Sequence, residues 1–145
     1  MTTIMITGAS RGLGLEFARQ FYSEECRVIA TCRSPKDANE LNAIGDIDVH
    51  ALDVTDDKSV ANLADKLRGE NIDILINNAS NDQRHSLENI TEKYWDERMA
   101  INLKHYLFAI QSVKKSMVKN KGGSIINLGS VSWVRGAVMF PAYST

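Results

Sequence analysis

The chain has 145 residues, with 17 basic and 18 acidic side chains and a net charge of -1. That balance excludes the basic face of a nucleic-acid or anionic-membrane binder, and 43% apolar with 24% charged residues is the composition of a globular domain able to bury a core. No apolar run is long enough to span a bilayer and the N-terminus passes straight into a strand, so neither an anchor nor a leader is expected; Cys26 and Cys32 fit no metal or redox motif and are expected as reduced core thiols in a cytoplasmic protein.

The elements alternate. Ile4 to Ile6 predicts a short buried strand, followed by glycines at spacing G-x-x-x-G-x-G and a helix with Leu15, Ala18 and Tyr22 on one face. Arg27 to Cys32 predicts a second strand, closed by Arg33-Ser34-Pro35, and Lys36 to Ile44 a short, poorly defined helix. A third strand is expected over Asp48 to Leu52. A helix over Asp56 to Leu67 then carries Val60, Leu63, Ala64 and Leu67 at helical spacing, and a fourth strand covers Ile72 to Ile76. Thr91 is a plausible N-cap for one long helix reaching about Met117, with Trp95 in the core, ended by Gly122-Gly123. Ser124 to Leu128 is the fifth strand, and Gly129 to Thr145 a loop containing Pro141. Strands alternating with helices imply a parallel sheet, and right-handed crossovers favour an α/β doubly wound arrangement with a ligand beyond the C-terminal strand ends.

The glycine turn lies where a helix N-terminus presents unpaired amides and a positive dipole end to an anion such as a pyrophosphate. The spacing differs from G-x-G-x-x-G, and an ordinary glycine-rich turn would read the same. A carboxylate after the second strand would hold the 2′-hydroxyl of NAD. Cys32-Arg33 offers none, and Arg11 adds a second cation, so charge complementarity points to the 2′-phosphate of NADP(H); two solvated surface arginines are the alternative. Asp53, after the third strand, could meet an adenine amino group or cap the helix near Asp56. Asn77-Asn78-Ala79 could tie strand ends together and reach a ribose, or bond only locally. Asn102 lies mid-helix, where asparagine is unfavourable. Ser130 and Tyr143 end on the glycine-turn side of the sheet, where a tyrosine could protonate a carbonyl oxygen that a serine holds; a turn serine and a packed aromatic are the alternatives. His50, His85 and His105 have no partner at ligand spacing and are expected as surface or local hydrogen-bonding residues, so no metal site is expected; Trp133 is expected as pocket wall.

Together these motifs resemble the short-chain dehydrogenase/reductase family over all 145 residues. Thr7-Gly8-Ala9-Ser10-Arg11-Gly12-Leu13-Gly14 matches its cofactor motif, Asp53-Val54 its adenine contact, and Asn77-Asn78-Ala79-Ser80 its N-N-A-G motif with serine for glycine. Asn102 falls at its helix asparagine, and Ser130 and Tyr143 match its catalytic pair. The resemblance implies a Rossmann fold and a carbonyl reductase or alcohol dehydrogenase. Its cofactor would be NAD(P)(H), with NADP(H) favoured by Arg11 and Arg33, its substrate a small carbonyl or alcohol, and its full-length form a homo-oligomer. Cofactor contacts would fall on Thr7, Gly8, Ser10, Arg11, Gly12, Leu13, Gly14, Arg33, Asp53, Val54, Asn78, Ala79 and Ser80, and catalysis on Ser130, Tyr143 and Asn102. In the family a lysine four residues after the tyrosine lowers its pKa, a position two beyond Thr145. Residues 1–145 therefore read as an incomplete NAD(P)-binding domain, with its substrate helices and later strands absent, an open fifth-strand edge and no significant activity of its own; an inactive dinucleotide-binding remnant or sensor is the alternative. Residues 1–80 resemble small reductases of the C-factor type, whereas Asn81 to His85 and beyond resemble sugar-dehydrogenase or 3-oxoacyl-reductase branches.

Overall fold

The computed structural model describes residues 1–132, 134–135 and 141–143; Trp133, Ser144 and Thr145 lie outside the described residues. Five parallel strands form one sheet: β1 (Thr3–Ile6), β2 (Arg27–Cys32), β3 (Asp48–Ala51), β4 (Ile74–Asn77) and β5 (Ser124–Asn127), in the order β3-β2-β1-β4-β5. Helices α1 (Gly12–Ser23), α2 (Asn39–Asn42), α3 (Asp57–Lys66), α4 (Glu92–Met99) and α5 (His105–Lys119) fill the connections. This is the expected Rossmann-type α/β sheet. The chain leaves β1 towards β2 on one side and enters β4 on the other, so a crevice opens between the C-terminal ends of β1 and β4.

Side-chain alternation splits the core in two. Ile4, Ile6, Val28, Ala30, Cys32 and Ile76 face α1, with Leu15, Ala18 and Leu41 packed against them. Met5, Ile29 and Leu75 face the other way, against Leu63, Val113 and Met117 of α3 and α5. A period of two puts alternate residues on opposite faces, and a sheet covered on both sides must be apolar on both. Arg27 joins two polar edges, donating to Asp48 at 3.0 and 2.9 Å and pairing with Glu70.

Several expectations need correction. The long helix is broken: a π-helical segment, Ala100–Lys104, separates α4 from α5, so the apolar stripe shifts register partway along. Trp95 is consequently 37% exposed instead of core. Tyr22, Val60 and Ala64 are exposed as well, and α3 buries only Leu63. The N-cap of α3 is Asp56, whose carboxylate accepts from the Lys58 amide at 3.0 Å, not Asp53. β4 begins at Ile74, two residues later than expected. Cys32 is buried and its thiol pushed up by burial, whereas Cys26 is half-buried; both are free.

His105 is buried at 6% exposure, not at the surface, because the shifted register turns it inward against the edge of Tyr106, 4.5 Å between ring centroids. Burial pushes its imidazole down to about 4, opposed only in part by the Ile101 carbonyl, and neither ring nitrogen makes a full hydrogen bond. The folded state keeps the ring neutral while an unfolded chain protonates it below about 6.5, so stability falls as pH drops from about 6.5 to 4. His105→Phe should remove that dependence, worth roughly 2–3 kcal/mol, in urea melts across this range.

Candidate functional site

The crevice is built by hydrogen bonds that bind β4 to the turn after β1. Thr7 is fully buried. Its hydroxyl accepts from the amides of Asn78 at 2.9 Å and Ala79 at 3.0 Å and donates to the Ile76 carbonyl at 3.5 Å. The Asn78 side chain donates to the carbonyls of Thr7 at 2.9 Å and Gly8 at 3.0 Å. A Cβ on Gly14 would stand 2.5 Å from both the Asn78 amide nitrogen and the Gly8 carbonyl, and one on Gly8, at φ +68, would stand 2.8 Å from the Ala79 Cα. Helix α1 can therefore approach β1 and β4 only without those side chains. Its N-cap, Arg11, is extended and offers no side-chain cap, so the first amides of α1 face the crevice without a side-chain partner. Leu13 beside them is 66% exposed. Ser80 is exposed, while Val54 is half-buried against the core face of α3 and α5.

On the β2 side, Ser10, Arg11, Arg33, Ser34, Asp37 and Glu40 line one cleft of about 440 Å³. Arg11 and Arg33 are both exposed, and neither forms an ion pair among the described residues. The Asp53 carboxylate is turned to its own loop: Oδ1 accepts from the Thr55 hydroxyl at 2.7 Å and the Thr55 amide at 2.9 Å. Those two bonds, with a smaller pull from Arg33, hold the carboxyl below the usual range, and Oδ2 carries no hydrogen bond among the described residues.

On the β5 side, the Asn77 amide donates to Asn127 Oδ1 at 2.8 Å, tying the ends of β4 and β5, while its own oxygen is buried without a partner among the described residues. Ser130 follows, with its hydroxyl 2.7 Å from that of Ser132 and accepting from the Ser132 amide at 3.1 Å. Tyr106 of α5 donates to the Leu128 carbonyl at 2.8 Å and so holds the backbone that leads to Ser130. Burial, and then the Tyr143 phenol, push Tyr106 up to about 12. Asn102 lies in the π-helical segment, where its side chain accepts from the Asn81 amide at 2.8 Å and donates to the Asn81 carbonyl at 3.1 Å. It thus anchors the loop that leaves β4. The sequence carries no local signal for Asn127, Tyr106, Asn81 and His85 as site residues, because each acts through a long-range contact. No group of three or more His, Cys, Asp or Glu side chains is placed to hold a metal among the described residues.

A doubly wound parallel sheet with an uncapped, glycine-lined helix end at its switch point defines a dinucleotide-binding fold. The short chain dehydrogenase family model matches residues 2–145, and the chain belongs to that family. It is 35% identical to D-xylose 1-dehydrogenase of Caulobacter vibrioides, covering 98% of this chain and 58% of that protein. With sorbitol dehydrogenase of Cereibacter sphaeroides it shares 37% identity, covering 97% and 57%. The fold superposes on a bulky-bulky ketone specific alcohol dehydrogenase from Comamonas testosteroni with a TM-score of 0.87 at 25% identity, over 99% of this chain and 61% of that one. The chain therefore spans just under three fifths of the curated relatives it matches.

Thr7→Val should leave the Asn78 and Ala79 amides without their acceptor and destabilise the fold by about 2–4 kcal/mol, read as a lower urea midpoint at unchanged slope.

Proposed function

We propose that the chain forms the cofactor-binding part of an NADP(H)-dependent oxidoreductase that interconverts a carbonyl and an alcohol by hydride transfer. The observations that support it are the Thr7–Asn78 clamp, the uncapped end of α1 and Ser130, all just beyond C-terminal strand ends, with Ala142, next to Tyr143, held by the loop that leaves β4. The residues fit a dinucleotide: the absent Cβ atoms of Gly8 and Gly14 leave the turn tight against β4, and the amides at the start of α1 suit a pyrophosphate. Arg11 and Arg33, unpaired in the cleft beside Ser10, suit a 2′-phosphate and favour NADP(H) over NAD(H). Asp53 keeps Oδ2 for an adenine amino group, and Asn78, Ala79 and Ser80 line the ribose side.

A dinucleotide held by the glycine turn and the start of α1 would supply or take up the hydride at the substrate carbon. The Tyr143 phenol then moves a proton to or from the substrate oxygen, which the Ser130 hydroxyl orients and polarises. Asn102 acts through backbone, holding the loop at Asn81 that walls the pocket. The relatives' names, for xylose, sorbitol and a ketone, support a small alcohol or carbonyl substrate. Exposed apolar side chains on α4, the π-helical segment and α5 (Trp95, Leu103, Leu107, Phe108) support a homo-oligomer, and free cysteines suit the cytoplasm.

In the full-length protein, Arg33→Asp should raise the Kd of NADPH about 10- to 100-fold, by loss of a charge-assisted contact, and change that of NADH far less. Titration of both cofactors tests this, and equal weakening would rule out the NADP assignment. Tyr143→Phe should lower kcat by about 10²–10⁴ while cofactor affinity holds, and Ser130→Ala should cost less. Undiminished turnover of a carbonyl panel by the phenylalanine variant would remove Tyr143 from the mechanism.

A further inference from the structure

His85 sits in the loop between β4 and α4, 57 residues from the segment that carries Tyr143, yet it touches that segment directly. Its Nε2 accepts from the backbone amide of Ala142 at 3.0 Å. Ala142 is 1% exposed, and Tyr143 is the next residue. An amide can only donate, so Nε2 must be the unprotonated nitrogen and the ring proton lies on Nδ1. Nδ1 is correspondingly 2.8 Å from the Gln83 carbonyl and 3.0 Å from the Tyr94 hydroxyl, which satisfies that tautomer twice over.

The partners of His85 are themselves held. The Tyr94 ring lies tilted beside the imidazole at 4.9 Å between centroids, and the Arg98 guanidinium carbon lies 4.9 Å from the centre of the Tyr94 ring. The Tyr94 amide is bound by the Thr91 N-cap at 3.1 Å. At the other end of the same loop, Asn81 is bound twice by Asn102. The loop thus has two fixed ends, both on the α4 to π-helical stretch, and His85 extends that rigidity to the backbone beside Tyr143.

We propose that His85 is a positioning residue that sets the Tyr143 backbone through the Ala142 amide. It does not reach the reacting atoms. The inference rests on the reading of Tyr143 as the proton donor, because a misplacement of about 1 Å at such a group can cost about a hundredfold in rate.

Two amide variants separate positioning from bulk. In His85→Gln the side-chain oxygen can reach the place of Nε2 and accept from Ala142; in His85→Asn it stops near the place of Nδ1. In the full-length protein, His85→Asn should speed hydrogen exchange of the Ala142 amide by about tenfold or more. It should also lower kcat roughly ten- to a hundredfold with NADPH affinity held. His85→Gln should bring both readouts back towards the parent. Parental exchange and kcat in His85→Asn, equal damage in both variants, or loss of the fold in both would overturn the positioning role. A parent protein that reduces no carbonyl, with Ala142 still released only in His85→Asn, would instead defeat the reading of Tyr143 and leave the contact standing.

Discussion

The arrangement depends first on one buried hydroxyl. Thr7 ends β1 at the point where a polar backbone must leave a fully apolar sheet, and its side chain takes up two amides of the neighbouring strand end that would otherwise be buried without acceptors. Asn78 returns the interaction by donating to two carbonyls of the glycine turn. Four hydrogen bonds across this short span fix where β1 and β4 part, and so where the crevice opens. The glycines follow from that constraint. With Ala79 against Gly8 and the Asn78 side chain against Gly14, no side chain fits at either position, and α1 is drawn close to the crevice with its first amides uncapped by any side chain.

How far the sequence reveals this depends on whether a residue's role is local. The alternation of Ile4, Met5 and Ile6 assigns the two faces of the sheet, and the same parity recurs in Val28-Ile29-Ala30. Glycine spacing, the asparagine pair after β4 and the cations after β2 are equally local, and the structure brings them to one end of the sheet. What periodicity misses is the inserted turn at Ala100–Lys104. A helical stripe assumes a constant angle per residue; a π-helical segment shifts it, so Trp95 turns outward and His105 inward. The same segment carries Asn102, whose unfavourable mid-helix placement was the one visible trace of the break.

The two sides of the crevice are built differently. On the β2 side the polar groups are exposed, face a cleft and make few internal bonds, a surface that keeps its charge available for a ligand. On the β5 side three polar side chains are tied to backbone, Tyr106 to Leu128, Asn102 to Asn81 and His85 to Ala142, and Asn77 is tied to the side chain of Asn127. Binding a dinucleotide tolerates adjustable long side chains, whereas transferring a proton requires donors fixed to within a fraction of an ångström.

The end of β5 is restrained by polar contacts as well. Ile125 and Ile126 are 38% and 42% exposed, and β5 pairs only with β4 among the described strands. The side chains of Asn77 and Tyr106 supply the restraint that burial does not, one from the adjacent strand and one from the helix above. Since Ser130 lies only two residues beyond the carbonyl that Tyr106 holds, that bond restrains the backbone leading to the proposed catalytic serine, and the Ser132 amide fixes its hydroxyl from the following turn.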